Sequence, residues 1–216
     1  MGIFIKIAML FFLLNFFYSI LNARPISYAG GWTVMTYNDY TRNSLLLHYS
    51  PTSKYSIGYR TQYWQEKEYW INSFNLNYLA KRINRKHSQT NIYLKTGLGI
   101  LSTDYKEYND KKEPVFYGEF AADWETRKLF ISYNNNVLKS ASVDGTFIQK
   151  SRFGFTPYLA KYGSLHTWLM YELNHIPELK SNYLSNFIIR FFKSTNLLEL
   201  GLDENKNTTL NFIKRF

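Results

Sequence analysis

Cysteine is absent from the 216 residues. That excludes a disulfide framework, a thiolate metal site and a cysteine nucleophile, and it suits export. Acidic residues are scarce, 16 against 26 Lys and Arg, which leaves a formal charge of +10. The surplus cations are scattered through predicted strands and turns, and no helix or sheet motif gathers them. No nucleic-acid partner is therefore expected, and anionic lipid is the more natural counter-charge. Long apolar runs are missing after the amino terminus: hydrophobic residues reach 45%, yet the mean hydropathy is only -0.33. The mature chain has no helix-type membrane span, so it either stays soluble or crosses a membrane by strands. Linkers, internal repeats and a second domain are absent. So are GxSxG, P-loop, GxGxxG, HExxH and paired-carboxylate signatures, and no cofactor or metal is expected.

The amino terminus carries one early cation, Lys6, and then an apolar run from Ile7 to Leu21 broken by Asn15 and Ser19. Leu21-Asn22-Ala23 is an acceptable cleavage site. Residues 1–23 are expected to be a cleavable secretory signal peptide, with the mature domain over 24–216. The run is short for a full membrane span of about 20 residues.

What the chain has in abundance is alternation and aromatic rings. Residues 90–103 (TNIYLKTGLGILST) put Ile92, Leu94, Leu98 and Ile100 on one face, with Thr96 between them. Asn91, Tyr93, Lys95, Gly97 and Gly99 take the other face. A period of two over this length, one face apolar and the other polar, suits a tilted strand with lipid outside and a polar lumen inside. Nineteen Tyr and 17 Phe exceed what a globular core needs. They suit belts at two membrane interfaces, where a phenol keeps its ring in lipid and its hydroxyl in the headgroups.

The same device recurs. Strands are predicted over 32–37, 44–50, 54–65, 69–80, 90–103, 115–124, 128–135, 146–159, 165–174, 183–192, 196–202 and 208–216. The expected fold is all-β: an up-and-down antiparallel transmembrane barrel of about twelve strands, the even number usual for single-chain bacterial barrels. With both termini on the periplasmic side, inner turns fall at 50–54, 81–89, 125–127, 160–164 and 193–195. The outer loops include 104–114 and 134–145, expected to be the longest. The inner rim is basic, with Lys54, Lys81, Arg82, Arg85, Lys86, Arg127, Lys161 and Lys193, which would meet anionic lipid.

Alternation sends a set of charges inward: Arg60, Lys95, Lys150, Arg152 and Arg190 with Glu119, Asp123, Glu172 and Glu199. Two readings follow. Paired charges can fill a small barrel as a closed structural ladder, or they can line a narrow selective pore. Four histidines, His48, His87, His166 and His175, make no close ligand pair. A His–Met path through the lumen with Met35 and Met170 is allowed by ligand type alone. Asp39 with His48 or His175 are the residues that a lipid-acting hydrolase would use, although nothing marks a nucleophile and Asp in a turn is first a turn former.

The last strand, with Leu210, Phe212 and the terminal Phe216 at even spacing, resembles the targeting strand of bacterial outer-membrane proteins. In that family the final aromatic strand is read by the barrel-assembly machinery; Lys214 stands where an apolar residue is usual. The segments GGWTVMTYND, HYSP, ADWETRK, LHTWLM and RFFK together resemble a family of small exported proteobacterial proteins over nearly the whole mature length. The resemblance implies a shared barrel and carries no chemistry. The expectation is a Gram-negative outer-membrane barrel, structural or porin-like. The alternatives are a lipid A deacylase or phospholipase type of barrel hydrolase and a periplasmic β-barrel binding protein. Membrane lipid and the assembly machinery are the expected partners, and the sequence sets no oligomeric state.

Overall fold

The alternating segments form twelve strands in the computed structural model, which describes residues 28–65, 68–103, 111–141, 145–161, 163–178 and 182–216. The proposed signal peptide lies outside the described residues. The strands are β1 (Gly31–Asn38), β2 (Arg42–Ser50), β3 (Tyr55–Trp64), β4 (Tyr69–Asn84), β5 (Ser88–Thr103) and β6 (Lys112–Thr126). They continue as β7 (Leu129–Ser140), β8 (Thr146–Phe155), β9 (His166–His175), β10 (Tyr183–Lys193), β11 (Asn196–Asp203) and β12 (Thr208–Arg215). Each strand pairs antiparallel with its neighbours in sequence, and β1 pairs with β12, closing an up-and-down barrel. Closure gives every strand two partners, which removes the unpaired edge that lipid would not tolerate. At the seam, Phe216 N donates to Trp32 O at 2.9 Å and Trp32 N donates to Phe216 O at 3.3 Å.

The two faces of the sheet differ as two solvents would require. Outward positions carry large exposed apolar side chains along every strand, among them Leu47, Ile57, Phe74, Leu98, Phe120, Phe153, Phe187 and Leu200. Phe74 is 74% exposed and Phe187 67%, values that water would penalise and acyl chains would not. No Asp, Glu or Arg takes an outward position on a described strand, and the outward lysines stand near the rims: Lys112 and Lys139 at the loop end, Lys81, Lys193 and Lys214 at the end holding the termini. Paired aromatics mark both rims. Trp32 meets Tyr49 at 5.1 Å at the terminus end. Tyr63 meets Trp70 at 5.0 Å, and His175 stacks on Tyr183 at 4.6 Å, at the loop end. Polar-tipped rings at the two rims, with a mainly apolar band between them that also holds Tyr59 and Tyr171, match membrane interfaces.

Inside, the lumen is layered. At the loop end Trp64, Tyr69, Ile71, Leu101, Val115, Leu138, Ile148, Ile176 and Leu184 form one buried apolar cluster, with Tyr40 of the β1–β2 turn packed against it. Charged residues occupy the middle. Toward the termini, Leu79, Tyr93 and Ala121 form a smaller cluster.

Several boundaries differ from the sequence expectation, each for a local reason. The basic stretch after residue 80 reads as a connection but continues as strand. A bulge between Leu79 and Lys81 resets the register, and Arg82 Nε then donates to Asn91 Oδ1 at 2.7 Å. The β4–β5 turn shrinks to 85–87, so this inner turn is short after all. β7 runs on to Ser140, which reduces the expected long loop at 134–145 to residues 141–145. β8 ends at Phe155 rather than 159, because Pro157 has no N–H for the ladder. The connection 156–165 is consequently the longest in the barrel, and it lies at the terminus end, against the expected alternation of short inner and long outer links.

Candidate functional site

The mid-lumen charges form two groups. On β5 and β6, directly paired in register, Lys95 Nζ lies 2.6 Å from Glu119 Oε1. Asn134 Nδ2 donates to the same oxygen at 2.8 Å, and Tyr117 Oη donates to Glu119 Oε2. The second group is a continuous chain. Lys150 Nζ is 3.1 Å from Glu172, whose other oxygen takes Arg152 Nε at 2.9 Å and Nη2 beside it. Arg152 Nη1 then reaches Glu199 at 2.8 Å, and Arg190 Nη2 meets that carboxylate at 2.6 Å. Asn211 Nδ2 completes it, donating to Glu199 Oε2 at 2.9 Å. Glu172 is 1% and Glu199 5% exposed, so these carboxylates depend on the cations around them rather than on bulk water. Asp123 stands apart, accepting from Asn91 Nδ2 at 2.7 Å.

Arg60 is the remaining cation named from the sequence. Among the described residues it has no carboxylate within ion-pair distance; its guanidinium lies 5.0 Å from the centre of the Tyr117 ring. Small residues clear its way across the sheet: Arg60 faces Ser73 on β4, Ser73 faces Gly99 on β5, and Tyr117 faces Gly97.

Other lumen residues escaped the sequence reading. Arg42 opens β2, with its guanidinium 5.1 Å from the Tyr37 ring and 5.6 Å from the Trp64 ring. It was hidden in the polar run NDYTRN, although it shares the parity of Ser44, Leu46 and His48. Tyr37 accepts from Lys150 Nζ across the lumen. Phe130 carries the Arg190 guanidinium 5.0 Å from its ring centre. Arg215, 3% exposed, closes the seam opposite Thr33.

Three cavities stand in file along the lumen. The central one, about 290 Å³, is lined by both groups of charges except Glu172, together with Asp123, Arg42 and Arg60. A second, about 240 Å³, opens under residues 159–160 at the terminus end and shares Phe130 and Arg190 with the first. A small one of about 20 Å³ lies at the loop end beside Asp39 and Tyr40, sharing Arg42, Ile148 and Lys150 with the central cavity.

The three residues considered for hydrolysis do not converge. Asp39 Oδ1 is engaged in a turn, accepting from Thr41 N at 2.9 Å, Thr41 Oγ1 at 2.6 Å and Arg42 N at 2.9 Å. His48 points inward, 1% exposed, with no hydrogen-bond partner on either ring nitrogen. His175 faces outward at the loop end, its Nδ1 2.9 Å from Gln149 Oε1. Met35 and Met170 both point inward, yet no group of three or more His, Asp or Glu able to hold a metal exists among the described residues. At the carboxyl terminus Phe212 and Phe216 share the outward face of β12, and Lys214 Nζ sits 5.1 Å from the Phe216 ring centre.

No protein-family model and no curated protein matches the chain, so the resemblance to a family of small exported proteobacterial proteins finds no support in sequence comparison. Solved structures with a similar arrangement of strands include OccAB1 of Acinetobacter baumannii, at 5% identity and a TM-score of 0.45. OccK8 (OprE) of Pseudomonas aeruginosa follows at 7% and 0.41. In both pairs 81% of this chain is covered against 57% of the other, so the chain spans little more than half their length. The translocator domain of the autotransporter NalP from Neisseria meningitidis aligns at 7% identity and a TM-score of 0.38, over 86% of this chain and 84% of that one. At such identity and scores these likenesses carry nothing about this chain's activity.

Proposed function

We propose that the chain is a Gram-negative outer-membrane barrel that acts as a narrow, porin-like channel for small polar solutes. The membrane part of the reading rests on the exterior. A soluble periplasmic binder would not leave Phe74, Leu98 and Phe187 two-thirds or more exposed at mid-height. The channel part rests on one observation, the file of cavities along the axis. Neighbouring cavities share wall residues: Phe130 and Arg190 toward the termini, Arg42, Ile148 and Lys150 toward the loops. Joining the chambers by movement of these shared side chains is part of the proposal. A charged, hydrogen-bonded lining supplies successive weak sites for a partly dehydrated solute. The basic inner rim and anionic lipid, the assembly machinery and Phe216 belong to the same proposal.

A closed, purely structural barrel is the second reading, favoured by the apolar cluster that fills the loop end. Conductance separates the two. Purified barrel, checked for heat-modifiable gel mobility, should give small discrete steps in planar bilayers. Phe130→Ala, which thins the partition on the terminus side, should enlarge them. A barrel with normal gel mobility that stays silent, both unmodified and with Phe130→Ala, would overturn the channel and leave the structural role.

A further inference from the structure

The central cavity holds more positive than negative charge, and the excess is localised. Of the six cations lining it, Lys95, Lys150, Arg152 and Arg190 each hold a carboxylate at 3.1 Å or less. Among the described residues Arg42 and Arg60 hold none. Each rests instead on aromatic faces, Arg42 on Tyr37 and Trp64, Arg60 on Tyr117. A cation–π contact is a weak hold compared with a charge-assisted pair. It is a modest one for a guanidinium taken out of bulk water, whose fork of five donors is matched by a carboxylate or phosphate. A ring face engages the plane of a guanidinium and not its edge; Arg60 also hydrogen-bonds the Tyr117 side chain, and the remaining edge N–H groups are the ones a ligand would take.

From this we infer that the central cavity is a binding site for a small oxyanion, a carboxylate or a phosphate, held between the guanidinium groups of Arg42 and Arg60. The volume, about 290 Å³, lies near the low end of cavities that hold small ligands, roughly 300–1,000 Å³. Both arginines line this one space from adjacent strands; Glu119 and Glu199 are held by cations of their own and Asp123 is the third carboxylate of the lining, so six cations face three acids and an entering anion meets net attraction. The aromatic faces act as resting places that a guanidinium can keep while its edge N–H groups turn to the ligand. This deepens the channel reading by naming its solute class, and it rests on the part of that reading that lets solutes reach the lumen.

The test is isothermal titration of the folded full chain in detergent with inorganic phosphate, with succinate, and with chloride at matched ionic strength. Phosphate or succinate should bind, and the preferred one identifies the source of the oxyanion; chloride should give no comparable response. Arg42→Gln and Arg60→Gln should each weaken binding at least about tenfold, as loss of a charge-assisted pair does. Arg60→Lys, which keeps the charge without the fork, should fall between and covers the case in which a neutral variant does not fold. Lys112→Gln, outside on the loop-end rim, should bind as the unmodified chain does. A folded barrel that binds neither oxyanion, or binds equally well without Arg42 and Arg60, would overturn the site. If that barrel still conducts, the channel survives; if it binds oxyanion and never conducts, the site survives and the channel does not.

Discussion

Arg152 and Glu199 are joined across the lumen, Nη1 to Oε1 at 2.8 Å, although two strands separate β8 from β11. Hydrogen bonds of the sheet link only neighbouring strands. This contact instead spans a chord of the barrel, and with Glu172 and Arg190 it ties four consecutive strands from the inside. Its strength depends on both ends being present. One acid removed leaves a guanidinium in a confined space without its partner, which costs more than the pair itself contributes.

Glu199→Gln should therefore destabilise the barrel by about 3 kcal/mol, the low end for a buried pair broken from one side. The double change Arg152→Met with Glu199→Leu should cost less than the two single changes added together, because no charge is then stranded. Denaturant unfolding in detergent, read by gel mobility, measures all of these. A loss below about 0.5 kcal/mol, the noise level for surface changes, would mean that Glu172 alone holds Arg152.

The exterior makes a second, opposite kind of demand. Phe187 is 67% exposed at mid-height on β10, its ring 5.2 Å from that of Tyr171. In a bilayer, Phe187→Arg should cost about 2–4 kcal/mol, the range for Arg near the midplane of a barrel. Lys193→Arg, on the same outward face but at the rim, should change little. Folding into phospholipid vesicles under a denaturant gradient compares the two. In a water-soluble barrel both substitutions would lie within about 0.5 kcal/mol of zero, so near-equality would remove the membrane reading altogether.

Much of this architecture was legible because each strand meets two different environments. Ile92, Leu94, Leu98 and Ile100 on one side of β5, with Asn91, Tyr93 and Lys95 on the other, fix its orientation without any knowledge of neighbours. Strand count and inward charges follow from the same parity. The ends were harder. Lys81 and Arg82 look like connection residues, and the bulge after Leu79, the resumed pairing with Ile92 and Asn91 and the bond from Arg82 to Asn91 keep them in a strand. Arg42 sits among turn formers, so its parity went unread. Partners across a chord were beyond reach for a different reason. Lys95 and Glu119 face each other on adjacent strands, a pairing that register alone provides. Arg152 and Glu199 meet only because the sheet curls until β8 and β11 look at one another, and curvature is a property of the whole barrel.

The last residue separates recognition from stability. Phe216 contributes two things: backbone bonds to Trp32 that close the seam, and a ring 57% exposed on the outer face. Phe216→Ala keeps the bonds and removes the ring. If the terminal aromatic serves chiefly as a signal to the assembly machinery, this variant should assemble poorly in cells while its unfolding midpoint in detergent moves by less than about 1 kcal/mol. Deleting Phe216 takes the bonds as well and should cost a further 1–3 kcal/mol or so, the net worth of about two backbone hydrogen bonds. Should Phe216→Ala and the deletion lose stability equally, the ring would be part of the seam itself. Should Phe216→Ala assemble in cells as the unmodified chain does, the signal would lie elsewhere in β12, with Phe212 the next residue to change.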